Sequence, residues 1–197
     1  GQFSVGTTTA GTQYHANVAG YSGGFAAVWS NGTDIVLQRF DNDGVRQGGE
    51  TLVSTIPGSA SAQSGAQFVP DVAAWADGRF VVVWTDSGAN DGSGDGVFAR
   101  IYTPGSGFGS TFLVNTTTAG EQTYNGYGEY VANVAVLADG GFVVVWPSDS
   151  GDGSGWGVYG QRFDATGNKV GGEFRVNETT TGSQYMSEVT ALSSGGF

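Results

Sequence analysis

The sequence contains no cysteine, which removes disulfides, thiolate zinc sites and thiol nucleophiles together. His15 is the only histidine, so no repeated Ser-His-Asp arrangement and no histidine-rich metal site can be built. Positive charge is also scarce. One lysine and six arginines stand against 18 acidic residues, for a formal charge of −11. That balance argues against nucleic acid or an anionic membrane as a partner. No apolar run approaches the ~18 residues a membrane helix needs, so membrane insertion is not expected. Capped helical periodicity is missing as well. Gly, Thr and Ser punctuate the chain roughly every 8–12 residues, which points to an all-β protein with tight turns.

What the chain does have is 36 glycines among 197 residues and a repeating pattern. Gly140-Gly141-Phe142-Val143-Val144-Val145-Trp146 recurs as Gly78-Arg79-Phe80-Val81-Val82-Val83-Trp84 and, more degenerate, as Gly23-Gly24-Phe25-Ala26-Ala27-Val28-Trp29. It begins again at Gly195-Gly196-Phe197. A β-branched run closed by Trp reads as a strand that is apolar on both faces, so both faces must be covered. Before it lies an alternating strand ending in a turn, as in Val72–Gly78, Val134–Gly140 and Val189–Gly195. Asp77-Gly78 and Asp139-Gly140 are hairpin signals, because both residue types tolerate positive φ. A third segment carries Arg39, Arg100 and Arg162, and a fourth ends at Val53, Val114 and Val176.

The spacing of Val5, Val53, Val114 and Val176 is 48, 61 and 62 residues. The repeats then run 1–53 (degenerate), 54–114, 115–176 and 177–197, the last being the start of a fourth. Four antiparallel strands in ~50–60 residues, with the second doubly buried, is the pattern of a β-propeller blade. A β-sandwich is the alternative, but one exposed face would give alternation, which the Phe-Val-Val-Val-Trp strand lacks. The chain stops inside a repeat. The sequence thus reads as part of a longer array, completed by further repeats of the same chain or by neighbouring subunits at open sheet edges.

Candidate chemistry lies in the loops between second and third strands, Thr85–Gly96 and Ser148–Gly157. Asp86, Asp91, Asp95, Asp149 and Asp152 supply closely spaced carboxylates among glycines that free backbone carbonyls, and hard cations such as Ca²⁺ take several such oxygens at once. The other reading is a solvated Asp-Gly-Ser turn. Neither loop fits a helix-flanked calcium loop or a tandem Gly-rich nonapeptide. Repeated Arg39, Arg100 and Arg162 read as structural arginines rather than a ligand ring. Trp75, Trp156, Tyr124, Tyr127 and Tyr130 are candidates for stacking on sugar rings, although inter-sheet packing explains most aromatics here. A glycosidase pair of carboxylates is conceivable, but nothing in the sequence singles one out.

The unit running Leu137–Trp146, Asp152–Asp164 and Gly172–Asn177 resembles tandem repeats of large secreted bacterial proteins. Those proteins often carry haemolysin-type calcium-binding repeats and serve as adhesins or surface-layer components. The resemblance implies secretion or a cell-surface location. It also implies a non-catalytic structural or adhesive module, not an enzyme, with Ca²⁺ at the Asp-Gly-Ser loops as its expected stabilising ion. The alternative function is a carbohydrate-binding, lectin-like propeller with glycans as partners.

Overall fold

A computed structural model of the chain describes residues 3–8, 11–55, 65–123, 131–149 and 151–197. These residues form three antiparallel sheets in chain order and no helix, so no helix among them is long and apolar enough to cross a membrane. The first sheet has the order β1 (Tyr14–Tyr21), β2 (Gly24–Ser30), β3 (Ile35–Phe40), β4 (Arg46–Leu52). The second has β5 (Gln67–Ala74), β6 (Phe80–Asp86) and β7 (Gly96–Thr103), followed by β8 (Gly107–Phe108) and β9 (Phe112–Leu113), both paired to β7. The third runs β10 (Asn133–Val136), β11 (Phe142–Ser148), β12 (Gly157–Phe163), β13 (Lys169–Arg175). Residues 177–197 contain no strand. They do close the same hairpin turn as the complete repeats, with Leu192 N–H donating to Gly196 O at 3.1 Å.

The Trp-terminated strands lie inside their sheets, as the double apolar pattern requires. Every residue of β6 and of β11 is buried. Along β6 the side chains alternate between two different neighbours. Phe80, Val82 and Trp84 pack with Ala26, Val28 and Leu37 of the first sheet, while Val81 and Val83 pack with Phe142, Val144 and Trp146 of the third. Full burial of each such side chain contributes ~1.5–3 kcal/mol. Each sheet also stacks an aromatic pair across its second and third strands: Phe25 with Phe40, Phe80 with Tyr102, and Phe142 with Phe163, at 4.8, 4.4 and 4.8 Å between ring centres.

A middle sheet covered on both faces rules out the two-sheet sandwich. The stacking of successive four-stranded sheets, first strand beside first strand (β1 against β5, β5 against β10), is compatible with consecutive propeller blades. In the second sheet the fourth strand is split into β8 and β9, both paired to β7, with Gly109 between them still donating to Ile101 O at 2.9 Å.

The repeated arginines make structural contacts, within their own repeat and to its neighbours. Arg100 donates to Gly109 O at 2.7 Å and Val53 O at 2.9 Å, Arg162 pairs with Asp139 at 3.0 Å, and Arg39 lies over the Tyr102 ring at 4.9 Å.

Candidate functional site

Register against the second strands aligns three polar residues of the first strands, Asn17 opposite Val28, Asp71 opposite Val83 and Asn133 opposite Val145. The shared turn puts Glu188 at the same place, before Leu192 as Asn133 is before Leu137. Each of the first three reaches the backbone of the following repeat. Asn17 Nδ2 donates to Pro70 O at 3.0 Å, Asp71 Oδ2 accepts from Val134 N–H at 2.9 Å, and Asn133 Nδ2 donates to Ser187 O at 2.6 Å. Residues 53–63 positions apart in sequence are thereby tied into an arc along neighbouring first strands.

The backbone beside this arc is strained in a repeated way. His15, Val69 and Met186, each two residues before an arc residue, have φ of 54°, 50° and 62°. For the β-branched Val69 this is a genuine outlier. The register of β1 against β2 slips between Tyr14 and Asn17, and that of β5 against β6 between Phe68 and Asp71. Bulges of this kind re-aim side chains, and strained φ gathers at functional positions. Burial pushes the Asp71 carboxyl above its ordinary value. Backbone N–H groups of Val134 and Val72 oppose the rise, and the charge of Glu188 adds to it.

The Asp-Gly-Ser loops form a second cluster. Opposition of Asp86 to Gly96 and of Ser148 to Gly157 sets their register, so Asp86 matches Ser148, Asp91 matches Asp152 and Asp95 matches Trp156. In both loops the matched aspartate holds a linker asparagine. Asp91 Oδ2 accepts from Asn115 Nδ2 at 2.9 Å, and Asp152 Oδ2 from Asn177 Nδ2 at 3.3 Å. These asparagines in turn accept from Val97 and Val158 N–H.

Asp86 is fully buried and satisfied by Gln67, Gly88 and Asn90. Asp149 accepts from Glu121 N–H at 2.8 Å. Asp95 differs from all of these. It is 7% exposed, and its Oδ2 is buried without a hydrogen-bond partner. Desolvation, then the charges of Glu121, Asp86 and Asp91, raise its carboxyl to about 7.

Of the five aspartates expected at metal, three therefore share one locus, Asp149 joins it through Glu121, and Asp152 belongs to the other loop. Glu121 is the member the sequence did not single out. Trp75 is buried, with its indole N–H donating to Gly140 O at 2.9 Å, and so packs between sheets. Tyr124, Tyr127 and Tyr130 lie outside the described residues.

Solved structures of similar fold include two glycan-acting enzymes. An α-L-arabinanase of Penicillium chrysogenum, complexed with arabinobiose, superposes with a TM-score of 0.56 at 16% identity over 90% of this chain and 54% of that one. An α-L-arabinofuranosidase of Fusarium graminearum, bound to an iminosugar inhibitor, superposes with a TM-score of 0.52 at 13% identity over 87% and 52%. The fold is one that carbohydrate-active enzymes use. The chain spans about half the length of each, and at such identity the likeness is one of fold. No family model and no curated protein matches the sequence. The expectation of a non-catalytic structural or adhesive module, and of a chain that is not an enzyme, is corrected by these matches. Periodicity reported the scaffold, and a scaffold of stacked sheets does not tell an adhesin from a glycan-acting protein.

Proposed function

We propose that the chain is the substrate-binding part of a carbohydrate-active protein and that the glycan meets it at the arc of first strands. The observation that carries this reading is the carboxyl pair Asp71 and Glu188, at matched positions two repeats apart, with the charge of Glu188 adding to the rise that burial causes at Asp71. Cleavage of a glycosidic bond needs two carboxyl groups in unequal environments, one retaining its proton and one charged. Asp71, half-buried and raised, fits the acid that gives a proton to the leaving oxygen. Glu188, exposed to solvent, fits the carboxylate that assists the incoming water. Asn17 and Asn133 on either side hold adjacent strands and offer amide groups of the kind that bind sugar hydroxyls. The two enzymes of like fold, bound to arabinobiose and to an iminosugar, make arabinose-containing polymers the first substrates to try.

A second reading, binding without cleavage, is favoured by one contact: Asp71 Oδ2 already accepts from Val134 N–H. Both are tested by incubating the protein with arabinan, arabinoxylan and a panel of other polysaccharides, following reducing-end release and retardation in affinity gels. Release that falls at least ~100-fold in Asp71→Asn with retardation unchanged is the expected result. Retardation without release keeps the carbohydrate site and removes the cleavage. Neither signal with any polysaccharide overturns the proposal.

A further inference from the structure

The two Asp-Gly-Ser loops make an internal control for the acidic cluster. Their scaffold is the same: Asp91 with Asn115 and Gln122 corresponds to Asp152 with Asn177 and Gln184, down to the amide contact between Asn and Gln at 3.3 and 3.0 Å. The linker also meets each loop alike. Asp95 N–H donates to Glu121 Oε2 at 2.8 Å, and Trp156 N–H donates to Ser183 Oγ at 3.4 Å. Gln122 and Gln184 N–H donate to the Asp95 and Trp156 carbonyls.

On this common frame three positions change together. Asp86 and Asp95 of the second repeat, with Glu121 of the linker that follows it, are Ser148, Trp156 and, in the linker after the third repeat, Ser183. The third-repeat loop, one residue shorter, forms with neutral residues at all three. Asp86 does fold the longer loop, accepting from Gly88 N–H and Asn90, but Asp95 is not needed to build it, and a serine hydroxyl does the work of Glu121 at the matching amide.

Their grouping is electrostatically unfavourable as it stands. A buried carboxylate oxygen without a donor, beside further negative charge, loses solvation that nothing replaces. Asp95 Oδ2 is that oxygen. Glu121 presses directly on the loop, since a β-carbon at Gly94 would come within 3.1 Å of its carboxylate. We infer that the second repeat holds one divalent cation between Asp95 and Glu121, with the charge of Asp91 and Asp86 behind them, and that the third repeat holds none. Among the described residues, no three Asp, Glu or His side chains are arranged to hold a metal ion by themselves. The ion therefore completes its shell with loop carbonyls and water. Oxygen-only donors, a flexible glycine loop and a large, tolerant shell select Ca²⁺ over Mg²⁺, which demands near-ideal octahedral geometry.

The test needs no sugar, so its outcome is independent of the carbohydrate reading. Thermal midpoints are measured with millimolar Ca²⁺, with Mg²⁺ and with chelator, and Ca²⁺ stoichiometry is measured by titration calorimetry. Binding to the folded state alone raises stability by mass action. The expected result is one Ca²⁺ per chain and a midpoint several degrees higher than in chelator. The rise is lost in Asp95→Asn and in Glu121→Gln and kept in Asp152→Asn. Should Asp95→Asn fold poorly, Glu121→Gln at the half-buried side of the site carries the same test. Equal midpoints in Ca²⁺ and chelator, or a rise that survives in both second-repeat variants, or one that Asp152→Asn abolishes, would overturn the assignment.

Discussion

Between β6 and β7 the chain carries Asp86, Asp91 and Asp95; at the same place between β11 and β12 it carries Ser148, Asp152 and Trp156. The backbone solves one geometric problem in both loops, with an aspartate, an asparagine and a glutamine knitting loop to linker. The remaining positions are free to differ, and there the second repeat collects charge while the third places an aromatic. Residues required by a repeat recur in it. Residues that serve something else break the repetition, as Asp71 and Glu188 also do where the first and third repeats have Asn17 and Asn133.

The shared scaffold is the place to press hardest. Asn115→Ala strips Val97 N–H and Asp91 of their partner in a fully buried setting, at a cost of ~2–3 kcal/mol. Asn177→Ala removes the same contacts nearer solvent and is expected to cost ~1–2 kcal/mol. Chemical denaturation of the two variants checks this order, and equal losses would show that burial does not separate the loops.

Next in size is the glycine behind Asp95. Gly94 has φ of +78°, and an added β-carbon would lie 2.6 Å from the Gly120 carbonyl. Gly155, its counterpart, has φ of +85°; its nearest neighbour would be the rotatable Ser183 hydroxyl at 2.7 Å, with the Gly182 carbonyl no closer than 3.4 Å. Both alanine variants carry the left-handed penalty of ~1–2 kcal/mol. Gly94→Ala is expected to lose more, as a lower melting midpoint, because backbone must move.

A third effect is on pH dependence and concerns the charged loop alone. The Asp95 carboxyl is raised from 3.8 to about 7, so the folded state keeps a proton that the unfolded chain has released. Stability therefore falls as pH rises between those two values and levels off above them. With chelator present, the midpoint should drop between pH 5 and 7, and Asp95→Asn should flatten that part of the curve. A wild-type curve flat over this range would remove the buried charge from the comparison.

Much of the fold could be read from the residues. The Phe80–Trp84 and Phe142–Trp146 runs declared strands covered on both faces, and Asp77-Gly78 and Asp139-Gly140 declared the turns. Those signals are local, set by β-branching and by positive φ. The arc was illegible for the opposite reason. Asn17, Asp71, Asn133 and Glu188 are ordinary polar residues until the repeats are stacked, and their partners come from the next repeat. Glu121 was missed likewise: it sits in a Thr- and Gly-rich linker, 26 residues from the amide it receives. The aligned pair Asp91 and Asp152 showed a repeated requirement, yet the asparagines that impose it lie 24 and 25 residues downstream.

The forward reach of the arc residues has one more consequence. A peptide backbone presents a carbonyl and an N–H in alternation, so an asparagine can latch the next strand by donating and an aspartate can latch it by accepting. Asn17 and Asn133 use the first way, Asp71 the second. Amide and acid are thus interchangeable as fasteners at this position. A lineage can install or withdraw an acidic group at the heart of the molecule by exchanging one side-chain atom, without loosening the joint between neighbouring sheets.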